Sequence, residues 1–208
     1  MLIQEAINTL VQLAIALAVV GGAWAIFARR SAPFRQWAGL GAPPSGWLRG
    51  ALLCWFVVAA VSIPMVLFGP MGELARGPGT VGGQFAVMDF GPAVLATILV
   101  VAFLKTALTE EIVFRGLIAK RLIARFGFRT GNAIQAVLFG GIHLAVFAAD
   151  GAPQATALSV AVVWGLPGFA GWMMGFANER FGGGTIWPGW AIHGVGNAVS
   201  YSLFAGLA

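Results

Sequence analysis

Residues 92–118 read PAVLATILVVAFLKTALTEEIVFRGLI, an apolar run long enough to cross a hydrocarbon core that takes about 20 helical residues. Inside it sit Glu110, Glu111 and Arg115. Charged groups within a bilayer cost about 2.5–3.5 kcal/mol each on insertion scales, so their presence calls for a physical reason. Working outward, further apolar runs fall at roughly 8–28, 48–68, 131–149, 155–178 and 187–207. The pattern predicts an all-α, polytopic membrane helix bundle of about six transmembrane helices, with residues 1–208 as one membrane-embedded domain. Composition agrees: 59% of residues are hydrophobic and 9% charged, with mean hydropathy +0.88, whereas soluble domains carry about 25% charged residues.

The net charge of +5 would raise nucleic-acid binding in a soluble protein. Here the basic residues flank apolar runs, so lipid is the expected surrounding and nucleic acid is not an expected partner. Arg29, Arg30, Arg35 and Arg49 lie between the first two runs; Lys120, Arg121, Arg125 and Arg129 lie between the third and fourth. The positive-inside rule makes these loops cytoplasmic. Residues 69–91, with Glu73, Arg76 and Asp89, then face the other side, as do both termini. The expected location is a cell membrane, specifically a bacterial inner membrane. Met1–Asn8 holds Glu5 and no Lys or Arg, so it lacks the n-region of a cleavable signal and the first run reads as a retained helix. Cys54 is the sole cysteine, which rules out an intrachain disulfide and a cysteine metal cluster.

Between the runs, residues 31–47 mix Pro33, Pro43 and Pro44 with Trp37 and Trp47, as an interfacial segment does. Pro167 falls inside the fifth run, where a kink, or a broken or re-entrant segment, is consistent with its chemistry. Gly165, Gly168, Gly171 and Gly175 recur at helical spacing in that run and predict close helix packing. Gly182–Gly184 resembles a phosphate loop only superficially, because no Lys-Ser/Thr follows and no strand precedes it; it reads as a flexible turn.

Glu111 and Arg115 are four residues apart, where a carboxylate and a guanidinium pair on one helix face. Glu110 points about 100° away and has no partner on its own helix, and a desolvated carboxylate is a candidate general base or acid. The simpler reading is a double-Glu helix end at the interface with Arg115 reaching to water. Both histidines, His143 and His193, fall in other runs. Phe139 precedes His143 by four residues and Asn197 follows His193 by four, so each pair shares a helix face. Convergence of these groups on one site is the expectation.

In motif order and spacing, Glu110-Glu111-x-x-x-Arg115, Phe139-x-x-x-His143 and His193-x-x-x-Asn197, led in by Thr185-Ile186-Trp187-Pro188, resemble the CAAX-processing and bacteriocin-processing (CPBP, or Abi) membrane metallopeptidases. The resemblance covers about residues 90–205, which sets residues 91–208 as the catalytic core and residues 1–90 as variable accessory helices. It implies hydrolysis of a peptide bond within the bilayer, in a membrane-anchored peptide or protein such as a prenylated or leader peptide. It further implies Glu110 as activator of water, His143 and His193 as positioning or proton-transfer groups, and Asn197 as stabiliser of the oxyanion. Glu111, Arg115 and Phe139 would be structural support.

A metal is the open point, since Glu110, His143 and His193 could supply three ligands to Zn²⁺ with water in the fourth position. No H-E-x-x-H helix is present, and with Glu110 as a ligand another base would be needed, so the metal-free, Glu-activated water is favoured. Two other classes stand beside the peptidase. One is a non-catalytic immunity or scaffold protein, which decayed motifs would have favoured. The other is a small proton-coupled transporter, which an inverted repeat would have favoured.

Overall fold

The computed structural model describes residues 1–152 and 154–206. Among these residues the chain is all-α, without strands, and is built on six long helices. They are α1 (Leu2–Phe27), α2 (Trp47–Leu67), α3 (residues 92–126), α4 (residues 128–143), α5 (Ala157–Arg180) and α6 (Trp187–Gly206). Four stretches are long and apolar enough to cross a membrane: Leu2–Phe27, Trp47–Leu67, Pro92–Ala148 and Ala157–Arg180. The third spans 57 residues and contains both α3 and α4. Helix α6 is not among the four. It lies against α2, α3 and α5, so much of its surface meets protein and it can carry His193, Asn197 and Ser200.

The expected loop at residues 119–130 is not a loop. Helix α3 runs on through Lys120 and Arg121, and the chain reverses at the single residue Gly127, whose φ of +77° lies outside the helical region. Glycine enters that region without the steric penalty a Cβ brings. The return is tight: a Cβ on Gly131 would come within 2.5 Å of the Ile123 backbone nitrogen. Apolar periodicity cannot reveal this corner, because residues on both sides of it are helical. Within α3, Val100–Leu108 and Ile112–Ala119 are wound as π-helix on either side of Thr109–Glu111. Such widened turns are rare and concentrate at functional sites.

Pro167 does not break the fifth run, and α5 is one continuous helix from Ala157 to Arg180. Its start is fixed by a reciprocal cap in which Ser159 N donates to Thr156 Oγ1 and Thr156 N donates to Ser159 Oγ, satisfying N–H groups the helix leaves free. Three of the four glycines of its stripe face α4. Gly168 meets Ala136, Gly171 meets the Phe139 ring, and Gly175 meets Asn132, whereas Gly165 faces open space.

The connections sort to two ends. At one end the 28–46, 119–130 and 181–186 segments meet: Lys120 Nζ donates to Gly184 O at 2.6 Å, Arg121 Nη2 to Trp37 O at 3.1 Å, and Trp187 Nε1 to Gly41 O at 2.7 Å. The expected interfacial segment includes a short helix, Phe34–Trp37, and Ala38 O reaches down against Gly116 of α3. The Gly182–Gly184 turn belongs to this assembly and is set by positive φ at Gly183 and Gly184. At the other end the 68–91 segment forms two short helices, Pro70–Ala75 and Val81–Phe85. Gly79 of this segment lies beside Ala149, and Gly151 beside Pro78. Helix α1 joins α3 through a largely buried Glu5–Lys105 ion pair of 2.7 Å.

Candidate functional site

Helix α3 presents its two glutamates to different surroundings. Glu111 is fully buried and turns toward α4, α5 and α6. Its Oε1 lies 2.8 Å from Arg115 Nη1 and 3.3 Å from His193 Nδ1. The Arg115 guanidinium, itself buried, sits 4.1 Å over the Phe139 ring, a cation–π contact that helps a charge forgo water. Phe139 is therefore a hub: its ring also meets His143 at 5.0 Å and His193 at 5.9 Å between centroids.

Glu110 faces a cavity of about 390 Å³. Its side chain is 31% exposed, against 0% for Glu111. The same cavity takes in His143, His193, Asn197 and Thr106, so the four groups named from sequence as catalytic line one space. Most of the remaining wall is apolar and comes from α2, α5 and the 69–91 segment. Residues 1–90 thus supply part of the site's wall, through side chains such as Trp55, Ile63 and Leu74.

Hydrogen bonding fixes the imidazoles. His143 Nδ1 lies 2.7 Å from Phe139 O; a carbonyl only accepts, so Nδ1 carries the proton and Nε2 is left for the cavity. His193 Nδ1 faces the Glu111 carboxylate in the same way, which turns its Nε2 toward Glu110 Oε2 at 3.8 Å. That separation is too long for a direct hydrogen bond. With a neutral imidazole both facing atoms are acceptors, and a water between them could donate to each. Asn197 Nδ2 donates to Thr106 Oγ1 at 2.9 Å, and the Thr106 hydroxyl is tied to the Val101 and Ala102 carbonyls. One amide N–H of Asn197 is thereby used for orientation and the second is left over.

Among the described residues, no three His, Cys, Asp or Glu side chains are grouped so as to hold a metal ion. Glu110, His143 and His193, the set expected for Zn²⁺, line one cavity. His143 and His193 both border the Phe139 ring, each with Nδ1 committed to another partner.

Two participants escaped the sequence reading. Thr106 precedes Glu110 by one helical turn, a spacing that could have flagged it. Asn178, on α5, had no such signal. It is buried, and its Oδ1 accepts from Gly189 N at 2.7 Å. Its Nδ2 and the Glu111 Oε2 both border Gly189, and both lack a hydrogen-bond partner. A donor and an acceptor thus flank one glycine that has no side chain to separate them.

A family model described as Rce1-like, type II CAAX prenyl endopeptidase Rce1-like, matches residues 92–199, just over half of the chain. No curated protein and no solved structure was found to match.

Proposed function

Because this chain belongs to the Rce1-like family of type II CAAX prenyl endopeptidases, we propose that it hydrolyses a peptide bond in a membrane-associated substrate by Glu110-activated water. The carrying observation is the 3.8 Å separation of Glu110 Oε2 and His193 Nε2, at the wall of a mainly apolar cavity. Water held there gives its proton to the Glu110 carboxylate as its oxygen bonds to the scissile carbonyl carbon. The carbonyl oxygen becomes an oxyanion, and the free N–H of Asn197 stabilises it. When the C–N bond breaks, the proton on Glu110 goes to the departing nitrogen, leaving a carboxylic acid and an amine.

The remaining residues serve orientation. Glu111 holds His193 through Nδ1 and is itself held by Arg115, while Asn178 accepts from Gly189 N at the start of α6. His143 turns Nε2 toward the cavity, where it can accept from the water or the substrate amide. No step passes through a metal.

The test is cleavage of a membrane-anchored peptide library by purified protein in liposomes, wild type beside Glu110→Gln, each with and without chelator. Cleavage that depends on Glu110 and survives chelation supports this mechanism. Loss on chelation with restoration by Zn²⁺ replaces it with a metallopeptidase. Absence of cleavage from wild type across the library favours the non-catalytic membrane protein.

A further inference from the structure

We infer that Asn178 is a positioning residue for the site: its amide oxygen holds the first turn of α6 and its amide nitrogen serves the buried Glu111 carboxylate, so that one side chain sets His193 against Glu111. The effect on turnover rests on the endopeptidase reading, while the contact itself rests on packing and hydrogen-bonding capacity alone.

Hydrogen-bonding capacity fixes which way the amide points. Gly189 is the third residue of α6, and the first turn of a helix leaves such N–H groups without an internal partner. Ile186, just before the helix, has no side-chain acceptor to offer. Asn178 supplies the cap from α5 instead, accepting Gly189 N at its Oδ1 over 2.7 Å. A backbone N–H only donates, so the oxygen must be the end that faces it and Nδ2 must be the end that does not.

Gly189 also shows what stands near Nδ2. A Cβ there would touch Glu111 Oε2 and would lie 2.9 Å from Asn178 Nδ2, so a carboxylate oxygen and an amide donor flank the same small residue. Both atoms are buried, and neither has a hydrogen-bond partner among the described residues. Each alone carries the desolvation cost of an unmet buried polar group, and pairing removes both costs. The space between them is one that a single bridging water closes, since two hydrogen bonds through water span about 5.6 Å. Glu111 Oε1 is already taken up by Arg115 Nη1 at 2.8 Å and His193 Nδ1 at 3.3 Å, which leaves Oε2 for α5. The first turn of α6 favours the same arrangement, because a helix N-terminus attracts negative charge. His193 and Asn197 follow Gly189 by four and eight residues, one turn and two turns along the same helix, so a displacement of Gly189 is carried to both. Asn178 does not itself line the cavity and acts only through Glu111 and α6.

Asn178→Asp separates the two halves of this role. Aspartate keeps an oxygen for Gly189 N and is a good capping residue, but it turns a second carboxylate oxygen toward Glu111 where a donor stood. A side chain that only caps α6 would tolerate the change. The expected result is instead an unfolding temperature in detergent lower by at least about 6 °C, from like charges enclosed together. On a peptide that the wild type cleaves in liposomes, kcat should fall by about 10–10²-fold at nearly constant KM, from misplacement of His193. Adding Glu111→Gln restores a donor and an acceptor with their ends exchanged, so the double variant should unfold at least about 3 °C above Asn178→Asp. Asn178→Asp indistinguishable from wild type in both readouts overturns the proposal and leaves a cap alone. A double variant no more stable than Asn178→Asp overturns the contact, and it does so equally if neither variant folds. Stability lost and recovered with kcat unchanged overturns the positioning role. No cleavage by wild type, with the recovery of stability intact, counts against the endopeptidase and leaves the pairing of Asn178 with Glu111 standing.

Discussion

Glu110 and Glu111 are adjacent in sequence and belong to opposite regions of the molecule. The Glu111 side of α3 is packed solid: Arg115, Phe139, Met174 and Asn178 fill it, and its carboxylate is fully enclosed. The Glu110 side borders the cavity, with an imidazole nitrogen at 3.8 Å and no hydrogen-bond partner for Oε2. On the proposed mechanism these two identical side chains do different work. A buried ion pair costs desolvation and is retained by excellent geometry and neighbours, whereas a general base needs room for the water whose proton it takes. On that mechanism the packed side holds the open side in register.

The contrast can be broken first at Glu110. Glu110→Gln is expected to lower kcat by about 10³-fold, within the range for loss of a positioned acid–base group, with thermal unfolding in detergent unchanged. Arg115→Ala should do the reverse in emphasis, destabilising the fold by about 3–5 kcal/mol because a buried carboxylate is left uncompensated. Thermal unfolding of the two variants side by side checks it, and matching losses of stability would dissolve the division between the regions. Asn197→Ala should lower kcat by about 10²-fold with KM nearly constant, the signature of an interaction made in the transition state. A rise in KM alone would reassign it to substrate binding.

Smaller effects sharpen the packed side. Asn178→Leu removes the acceptor of Gly189 N and should cost about 1–3 kcal/mol of stability, with a loss of kcat that exceeds any change in KM. Steady-state kinetics beside thermal unfolding would separate the two. The least disturbance is expected from Gly165→Ala, within about 0.5 kcal/mol, because nothing lies within 4 Å of a Cβ there. Gly171→Ala at the same helical spacing meets the Phe139 ring at 2.9 Å and should be clearly destabilising. Equal behaviour of the two glycine variants would show that α4 and α5 pack more loosely than described.

Much of this was legible without coordinates. Length and apolarity determine helices in a bilayer, since a segment with no water to bind must satisfy its own backbone. Four-residue spacing determines that Glu111 meets Arg115, that Phe139 stands beside His143, and that His193 and Asn197 share a face. Motif order determines the family. These are local properties, set by the 3.6-residue turn.

The remainder is set by contacts between residues far apart in the chain, which no period encodes. The reversal at Gly127 depends on one φ angle between two helical stretches. The place of Asn178 depends on α5 lying against Gly189 of α6, and the meeting of Glu110, His143 and His193 at one cavity depends on how α3, α4 and α6 are spaced. The cavity itself is the space left where α2, α5, α6 and the 69–91 segment do not close on Glu110. Sequence by itself determined the membrane-embedded helices, the family and the chemical groups; tertiary structure decided which glutamate faces open space and which is sealed, because burial is a property of neighbours rather than of a residue.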